Sequence, residues 1–421
     1  MHIIQRPLFD FDKFIVLVKE EERLVIVLEG LDVEKLLAAL ERERWTGRKG
    51  HSIRGMWSAL IAGVVYQSTS LAGVVRLLKG NKAVREVCGF AMDEIPEEDA
   101  LGRFLRKLVR HEKELEECFE SMVERLRQLF PGYGKKLVGD STDIVAWSNG
   151  HCRQGRQPSD SDAKWGAKKA SHRGGKAEGD KKDERKDDLY YWFGYKLHLL
   201  TDALTELPVS FVVTPANVAD TVELPTLMEK AKLKRPEAKP DALIFDKGYD
   251  SKNNNDVIYK EYKSAPIIPI REREGAQLEG ICNARGTPTC GCGLEMVYWG
   301  RDGNYLKYRC PDVLGRAKCK DLSPCTASPY GYVLKLPIAD DVRRHPPVPR
   351  ETKKWQRLYK LRTSIERVNS RLKDFLGLRR ITVRGIAKVT VRSLLSLMVM
   401  VATAIGMARR NRLKEVRTLV G

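Results

Sequence analysis

LYKLRTSIERVNSRLK, residues Leu358 to Lys373, is the stretch on which the reading of this chain turns. Its apolar residues Leu358, Leu361, Ile365, Val368 and Leu372 recur at three- and four-residue intervals, the period of a helix with one buried stripe. Tyr359, Arg362, Glu366 and Lys373 follow one another at spacings of 3, 4 and 7. At about 100° per residue these four fall within about 60° of one another, on a face beside the apolar stripe. One side of such a helix can pack into a core while the adjacent side presents a phenol, a guanidinium, a carboxylate and an ammonium together. Arginine and lysine offer charge-assisted hydrogen bonds to phosphate oxygens, tyrosine a neutral one, and glutamate a ligand for a hard cation. The same spacing also suits an amphipathic surface helix with an Arg362–Glu366 pair, so the rest of the chain must decide.

The stretch lies in the most basic part of the chain. Between Val342 and Lys388 fifteen Lys or Arg stand against three Asp or Glu, and the whole chain of 421 residues carries a formal charge of +19. A positive charge concentrated in this way calls for a polyanionic partner, DNA or RNA, the alternative being a solvated charged face. The opening MHIIQRPLFDFDKF has no apolar core segment and carries early acids, which leads to the expectation of a cytoplasmic protein. The longest apolar run, Leu394 to Met407, is about 14 residues between Arg392 and Arg409, short for a membrane span and suited to a buried core helix.

Residues 1–135 read as mostly helical after a strand-like start at Phe14–Lys19 and Leu24–Leu28. Apolar residues recur at helical spacing through Met56, Leu60, Ile61, Val64 and Val65 and again through Leu71, Val74, Val75 and Leu78. Ser70 and Asn81 suit N-caps, and Pro96 before Glu97, Glu98 and Asp99 suits a helix start. Short helices of this kind suit a DNA-binding, helix-turn-helix-like bundle or a purely structural one. Strand-like runs begin at Lys136 and include Tyr191–Leu200, Leu207–Thr214 and Ala242–Phe245, with a helix near Val222–Lys232. Between the first two strands, Gly150–Asp188 is rich in charge and glycine and poor in aliphatic residues, and reads as a mobile basic insertion. From about Glu351 the chain reads as helical, with breaks near Gly377 and Gly385.

Two aspartates occupy equivalent places. Asp140 follows Lys-Leu-Val-Gly, and Asp246 follows Ala-Leu-Ile-Phe. A carboxylate at the carboxyl end of a buried strand is where open α/β sheets place ligand and metal chemistry, although a turn-initiating Asp reads the same way. Asp143 competes with Asp140 for the first position, and Asp140 has the strand-end placement.

Taken in order, these motifs resemble those of the IS4/IS5-type DDE transposases. Tyr359, Arg362, Glu366 and Lys373 resemble the YREK signature of IS4-type members. Gly139-Asp140-Ser141-Thr142 and Asp246-Lys247-Gly248-Tyr249-Asp250 resemble the motifs of the two aspartates. Trp192 to His198 and Thr214 to Asp220 resemble the strands and turn between them, and Gly50 to Leu108 is similar to the N-terminal domain of IS5-type relatives. The resemblance implies an α/β fold with an RNase H-like catalytic core (136–275 and 336–421) behind a helical N-terminal domain (1–135). It implies Asp140, Asp246 and Glu366 as catalytic carboxylates, with Tyr359, Arg362 and Lys373 positioning DNA phosphates. Three carboxylates suit two Mg²⁺ or Mn²⁺ ions, one activating water or a DNA 3′-OH and the other stabilising the leaving oxygen. The implied partners are the double-stranded terminal inverted repeats and target DNA, held by a homodimer; no membrane is implied. An RNase H-like nuclease without strand transfer is the nearest alternative, and a zinc-containing DNA-binding protein with inert carboxylates the next.

Six of the nine cysteines lie between Cys282 and Cys325. In a reducing compartment such a cluster suggests metal rather than disulfides. Cys290-Gly291-Cys292-Gly293, followed by a strand-like run from Met296 to Tyr308 and then Cys310-Pro311, resembles a zinc ribbon inserted over residues 276–335. The expected structural Zn²⁺ ligands are Cys290, Cys292, Cys310 and Cys319, with Cys282 or Cys325 as substitutes. His198 reads as a structural histidine near the site, and Trp355 as a packing residue.

Overall fold

The computed structural model describes residues 20–43, 50–152, 156–169, 189–271, 283, 286–319 and 325–412. Its centre is a mixed six-stranded sheet. Strand β1 (Lys136–Val145) pairs antiparallel with β3 (Leu189–Asp202) and parallel with β5 (Ala242–Ile244), which in turn pairs parallel with β6 (Ala265–Ile267). The fourteen-residue β3 is long enough to take two partners on its far edge. Its first half pairs with β2 (Lys164–Lys169) and its second with β4 (Pro208–Pro215). This order is consistent with the expected RNase H-like core. Helix α8 (Asp220–Lys230) packs on β3 and β4, and α9 (Lys252–Asp256) precedes β6.

The N-terminal region is helical: α1 (Glu20–Gly30), α2 (Glu34–Arg42), α3 (Ile53–Val65), α4 (Leu71–Gly80), α5 (Lys82–Val87), α6 (Glu98–Arg110) and α7 (Glu112–Leu129). Ser70 accepts a hydrogen bond from Gly73 N at 3.0 Å and Asn81 one from Val84 N at 3.0 Å, so both act as N-caps. Leu24–Leu28, expected as strand, lies in α1. Leu24, Ile26 and Val27 are buried there against the apolar C-terminal helix, and that packing overrides the β-preference of the run. Phe14–Lys19 lies outside the described residues.

The C-terminal helix α12 (Ile386–Arg409) is long and apolar enough to cross a membrane, yet every residue from Leu394 to Met407 is buried in the protein. It is surrounded by α1, α3, α6, α7 and β4, so the N-terminal helices and the sheet share one core. Where α1 crosses α12 the backbones touch. A Cβ on Gly30 would overlap the carbonyl oxygen of Ala402, and one on Gly406 the carbonyl oxygen of Ile26. Gly406→Val is therefore expected to cost about 3 kcal/mol or more, because a backbone cannot yield as a side chain does. Urea denaturation checks this; a cost below about 1 kcal/mol would show that the two helices can separate freely.

The stretch 150–188 is only partly as expected. Residues 170–188 lie outside the described residues, but Lys164–Lys169 form β2, and the loop before it is anchored. Asp160 Oδ2 accepts from Gly385 N at 3.2 Å and Asp162 Oδ2 from Ile386 N at 2.9 Å, so the two acids cap the start of α12. Asp160 Oδ1 also accepts from Tyr195 Oη at 2.7 Å. Polar capping, together with Trp165 packed 5.6 Å from Phe193, holds a segment with little aliphatic content.

A second, antiparallel sheet comprises β7 (Val297–Asp302), β8 (Tyr305–Arg309) and β9 (Val333–Pro337), so it runs past the expected boundary at residue 335. Its own core is small: Cys290, Met296, Leu306, Tyr308 and Ile338.

Candidate active site

Register explains why the two aspartates meet. In the parallel pair, Val138 lies opposite Ile244. Asp140 and Asp246 each come two residues later, so both point to the same face just beyond the paired segment. Asp140 is nevertheless not at the end of its strand. β1 continues to Val145 because β3 goes on pairing with it, Asp140 opposite Leu199, after β5 has stopped. The expected strand end is the end of the parallel pairing alone. Asp246 caps a short 3₁₀ turn, accepting from Gly248 N at 2.7 Å.

The signature stretch is not one continuous helix. α10 (Lys353–Lys360) ends at Tyr359–Lys360, and α11 (Thr363–Asp374) begins after a tightened turn at Leu361 and Arg362, where amide hydrogen bonds reach back three residues. The apolar stripe is buried as expected at Leu361, Ile365, Val368 and Leu372, and α11 packs on β1. Glu366 and Lys373 thereby reach a cleft of about 670 Å³ that also holds Asp140, Asp246, Lys168 and Lys196. Arg362 stands behind Glu366, its Nη2 donating to Oε1 at 2.6 Å, and Tyr359 hydrogen-bonds with Arg362. Trp355 is buried and stacks on Tyr359 with ring centres 4.8 Å apart, a packing role.

The charges of the cleft are not evenly compensated. Asp143 accepts from Lys168 and lies 3.0 Å from Lys373 Nζ. Burial alone would raise its pKa, but the two lysines outweigh it and hold the carboxyl below its usual range. Asp220, at the start of α8, accepts from Lys196 Nζ at 3.0 Å. Asp140 and Asp246 have no ion-pair partner among the described residues. Burial, then the neighbouring Asp246 carboxylate, pushes Asp140 up to about 7, and burial with Asp220 nearby holds Asp246 above its usual range. Two under-compensated carboxylates side by side fit oxygen-loving divalent cations. Glu366, turned to Arg362, has not joined them; among the described residues no three His, Cys, Asp or Glu side chains converge as a metal-binding group.

Lys168, Lys196 and Asp220 are cleft residues not singled out in the sequence. Lys196 and Asp220 sit inside the quoted motifs, but their meeting depends on β3 and α8 packing together. His198 is fully buried, its Nε2 2.9 Å from Thr214 Oγ1, and burial pushes its pKa down to about 4, in keeping with a structural histidine.

The cysteines come together incompletely. Cys290 Sγ and Cys292 Sγ are 2.9 Å apart, and Cys292 also hydrogen-bonds with Cys319. Cys310 makes no hydrogen bond to these sulfurs among the described residues; its backbone N donates to the carbonyl oxygen of Tyr332, the residue just before β9. Four converged thiolates, as expected from the spacing, are therefore not found among the described residues. Cys325 is exposed, and Cys282 lies outside the described residues.

Residues 13–107 match the family model described as Transposase domain (DUF772), and residues 135–402 match that described as Transposase DDE domain. No curated protein matches the chain. With an aspartate pair just beyond the parallel pairing of two adjacent strands, a glutamate helix beside it and more than half of the sequence matched to the second model, the chain belongs to the DDE transposase family and is an enzyme that acts on DNA.

Proposed function

We propose that this transposase cleaves DNA at the ends of its element and joins the freed 3′-OH to target DNA, with Asp140, Asp246 and Glu366 holding two Mg²⁺ or Mn²⁺ ions. The observation that carries the reading is that Asp140 and Asp246, alone among the four aspartates of the cleft, make no ion pair among the described residues and are lowered by a cation only at longer range, by Arg362, so that both stay above the usual carboxylate range. Glu366 completes the set by leaving Arg362. That exposed i,i+4 pair is worth only about 0.3–0.5 kcal/mol, so exchanging it for a cation costs little. Cations bound there supply Lewis acidity at the attacking and leaving oxygens of an in-line displacement.

The chain's own residues do the positioning. Arg362, once released, and Tyr359 beside it offer a charged and a neutral donor to a phosphate oxygen, in keeping with a YREK signature of IS4-type relatives. Lys373 and Lys168, both held on Asp143, can pivot to the neighbouring phosphates. No Ser or Tyr is assigned as a nucleophile. The helical region 1–135 is read as the DNA-binding domain, residues 136–275 and 336–421 as the catalytic domain, and a homodimer as the form that pairs two ends.

Cys290, Cys292, Cys310 and Cys319 are read as ligands of a structural zinc. Five buried side chains make a core too small to hold its sheet alone, and Cys292 already touches two other thiols. Elemental analysis is expected to find about one zinc per chain, with chelation lowering the melting temperature; metal-free protein of unchanged stability would remove zinc from the account.

The test of the reaction incubates purified protein, Mg²⁺, element-end duplex and target plasmid. Joined products that disappear in Asp140→Asn and Glu366→Gln are expected. Cleavage without joining would favour a nuclease, and bound but uncut DNA would count against catalysis altogether.

A further inference from the structure

A second charged cleft lies far along the chain from the carboxylates. It is a groove of about 420 Å³ between α6, the start of α3 and the loop at Gly50–His51. Four cations line it: Arg103, Arg106, Lys107 and Arg110, all on α6. The helix is laid out for this. Leu101, Phe104, Leu105 and Leu108 are buried on one side, while Arg103, Arg106 and Arg110, at spacings of 3 and 4, stand exposed on the other. Glu43 occupies two of the four, lying 3.3 Å from Lys107 and 3.7 Å from Arg110. Arg103 and Arg106 have no acidic partner among the described residues, and no carboxylate lines the groove.

We infer that this groove is a binding site for the phosphodiester backbone of duplex DNA. Arg103 to Arg110 covers about 10 Å along the helix axis, the length of about three phosphates on one strand. A line of guanidiniums of that length suits a repeating polyanion better than a single small anion. The contrast with the catalytic cleft sharpens the assignment. There, under-compensated carboxylates repel a phosphate until cations arrive; here, the Glu43 carboxylate is already matched by Lys107 and Arg110, and Arg103 and Arg106 face no acid among the described residues. The groove therefore holds DNA without divalent metal, and it contacts phosphates rather than base edges, so it does so on any sequence. This deepens the reading of the helical region as DNA-binding, on which it rests.

The test is duplex binding by fluorescence anisotropy in EDTA, over a range of monovalent salt, with an element-end duplex and an unrelated duplex as probes. Arg103→Ala with Arg106→Ala is expected to weaken both probes alike by about tenfold or more at low salt. It should also flatten the slope of log affinity against log salt by about two. Arg103→Lys with Arg106→Lys should keep most of that slope, with an unchanged melting temperature for both variants. Unchanged affinity and slope in the alanine variant would overturn the proposal, as would a lysine variant that fails like the alanine one. Asp140→Asn, which abolishes cutting if the catalytic reading is right, leaves this binding intact. Failure of the carboxylates and failure of the groove are thus read separately.

Discussion

Replacing Asp140 or Asp246 by asparagine is expected to lower DNA cleavage by about 10³-fold or more, the several kcal/mol that a lost cation site withdraws from the transition state. The same change should stabilise the metal-free protein at neutral pH, because it removes one of two adjacent, under-compensated carboxylates. The sign follows from Asp140, whose carboxyl sits at about 7 in the folded chain against an ordinary value of 3.8. A folded pKa above the unfolded one favours the folded state when the group is protonated. That advantage is complete below about pH 4 and is lost as the pH rises to about 7. Melting of the metal-free protein in chelator should therefore fall across this window by several degrees, on the order of a few kcal/mol. Asp140→Asn should flatten the fall, and Mn²⁺ should offset it in the wild type only. Loss of activity together with a loss of stability at pH 7 would instead mark Asp140 as a structural residue.

Glu206→Ala is expected to cost about 3–5 kcal/mol, the usual result of removing one partner from a buried ion pair. Glu206 is 1% exposed. Its Oε1 accepts from Arg367 Nε at 2.7 Å, and its Oε2 from the buried Arg371 Nη1 at 2.5 Å. Both arginines are on α11, one and five residues after Glu366, so the turn between β3 and β4 fixes the helix that carries the third carboxylate. The variant should lose activity at temperatures where it is still folded, since a loosened α11 misplaces Glu366. Glu206→Gln, which keeps the shape but halves the hydrogen-bonding capacity for guanidinium, should lie between. Urea denaturation and cleavage rates measured side by side check both parts; a cost below about 1 kcal/mol would show that α11 is held by its apolar stripe alone.

How much of this was legible beforehand differs residue by residue. Asp140 and Asp246 could be paired from the sequence because both follow short apolar runs, and strand register then does the rest. The stripe Leu361, Ile365, Val368 and Leu372 announced its burial through spacing. The turn at Leu361–Arg362 did not, since helical periodicity continues across it. Leu24–Leu28 misleads because a β-rich pentad carries no sign of the long apolar helix, some 370 residues on, against which it packs as α1. The anchoring of Asp160 and Asp162 on α12, the pairing of Lys196 with Asp220 and that of Glu206 with Arg367 and Arg371 are equally long-range. Polar contacts between distant segments leave no local pattern, and these are the contacts that organise the walls of the cleft.

The central claim is that the carboxylate pair holds divalent cations, and Mn²⁺ binding followed by electron paramagnetic resonance tests it without any need for the DNA substrate. Wild-type protein at pH 8 should remove Mn²⁺ from the free signal, Asp140→Asn and Asp246→Asn should not, and Glu366→Gln should retain only part of the binding. Equal Mn²⁺ uptake by the wild type and the two aspartate variants would contradict the account.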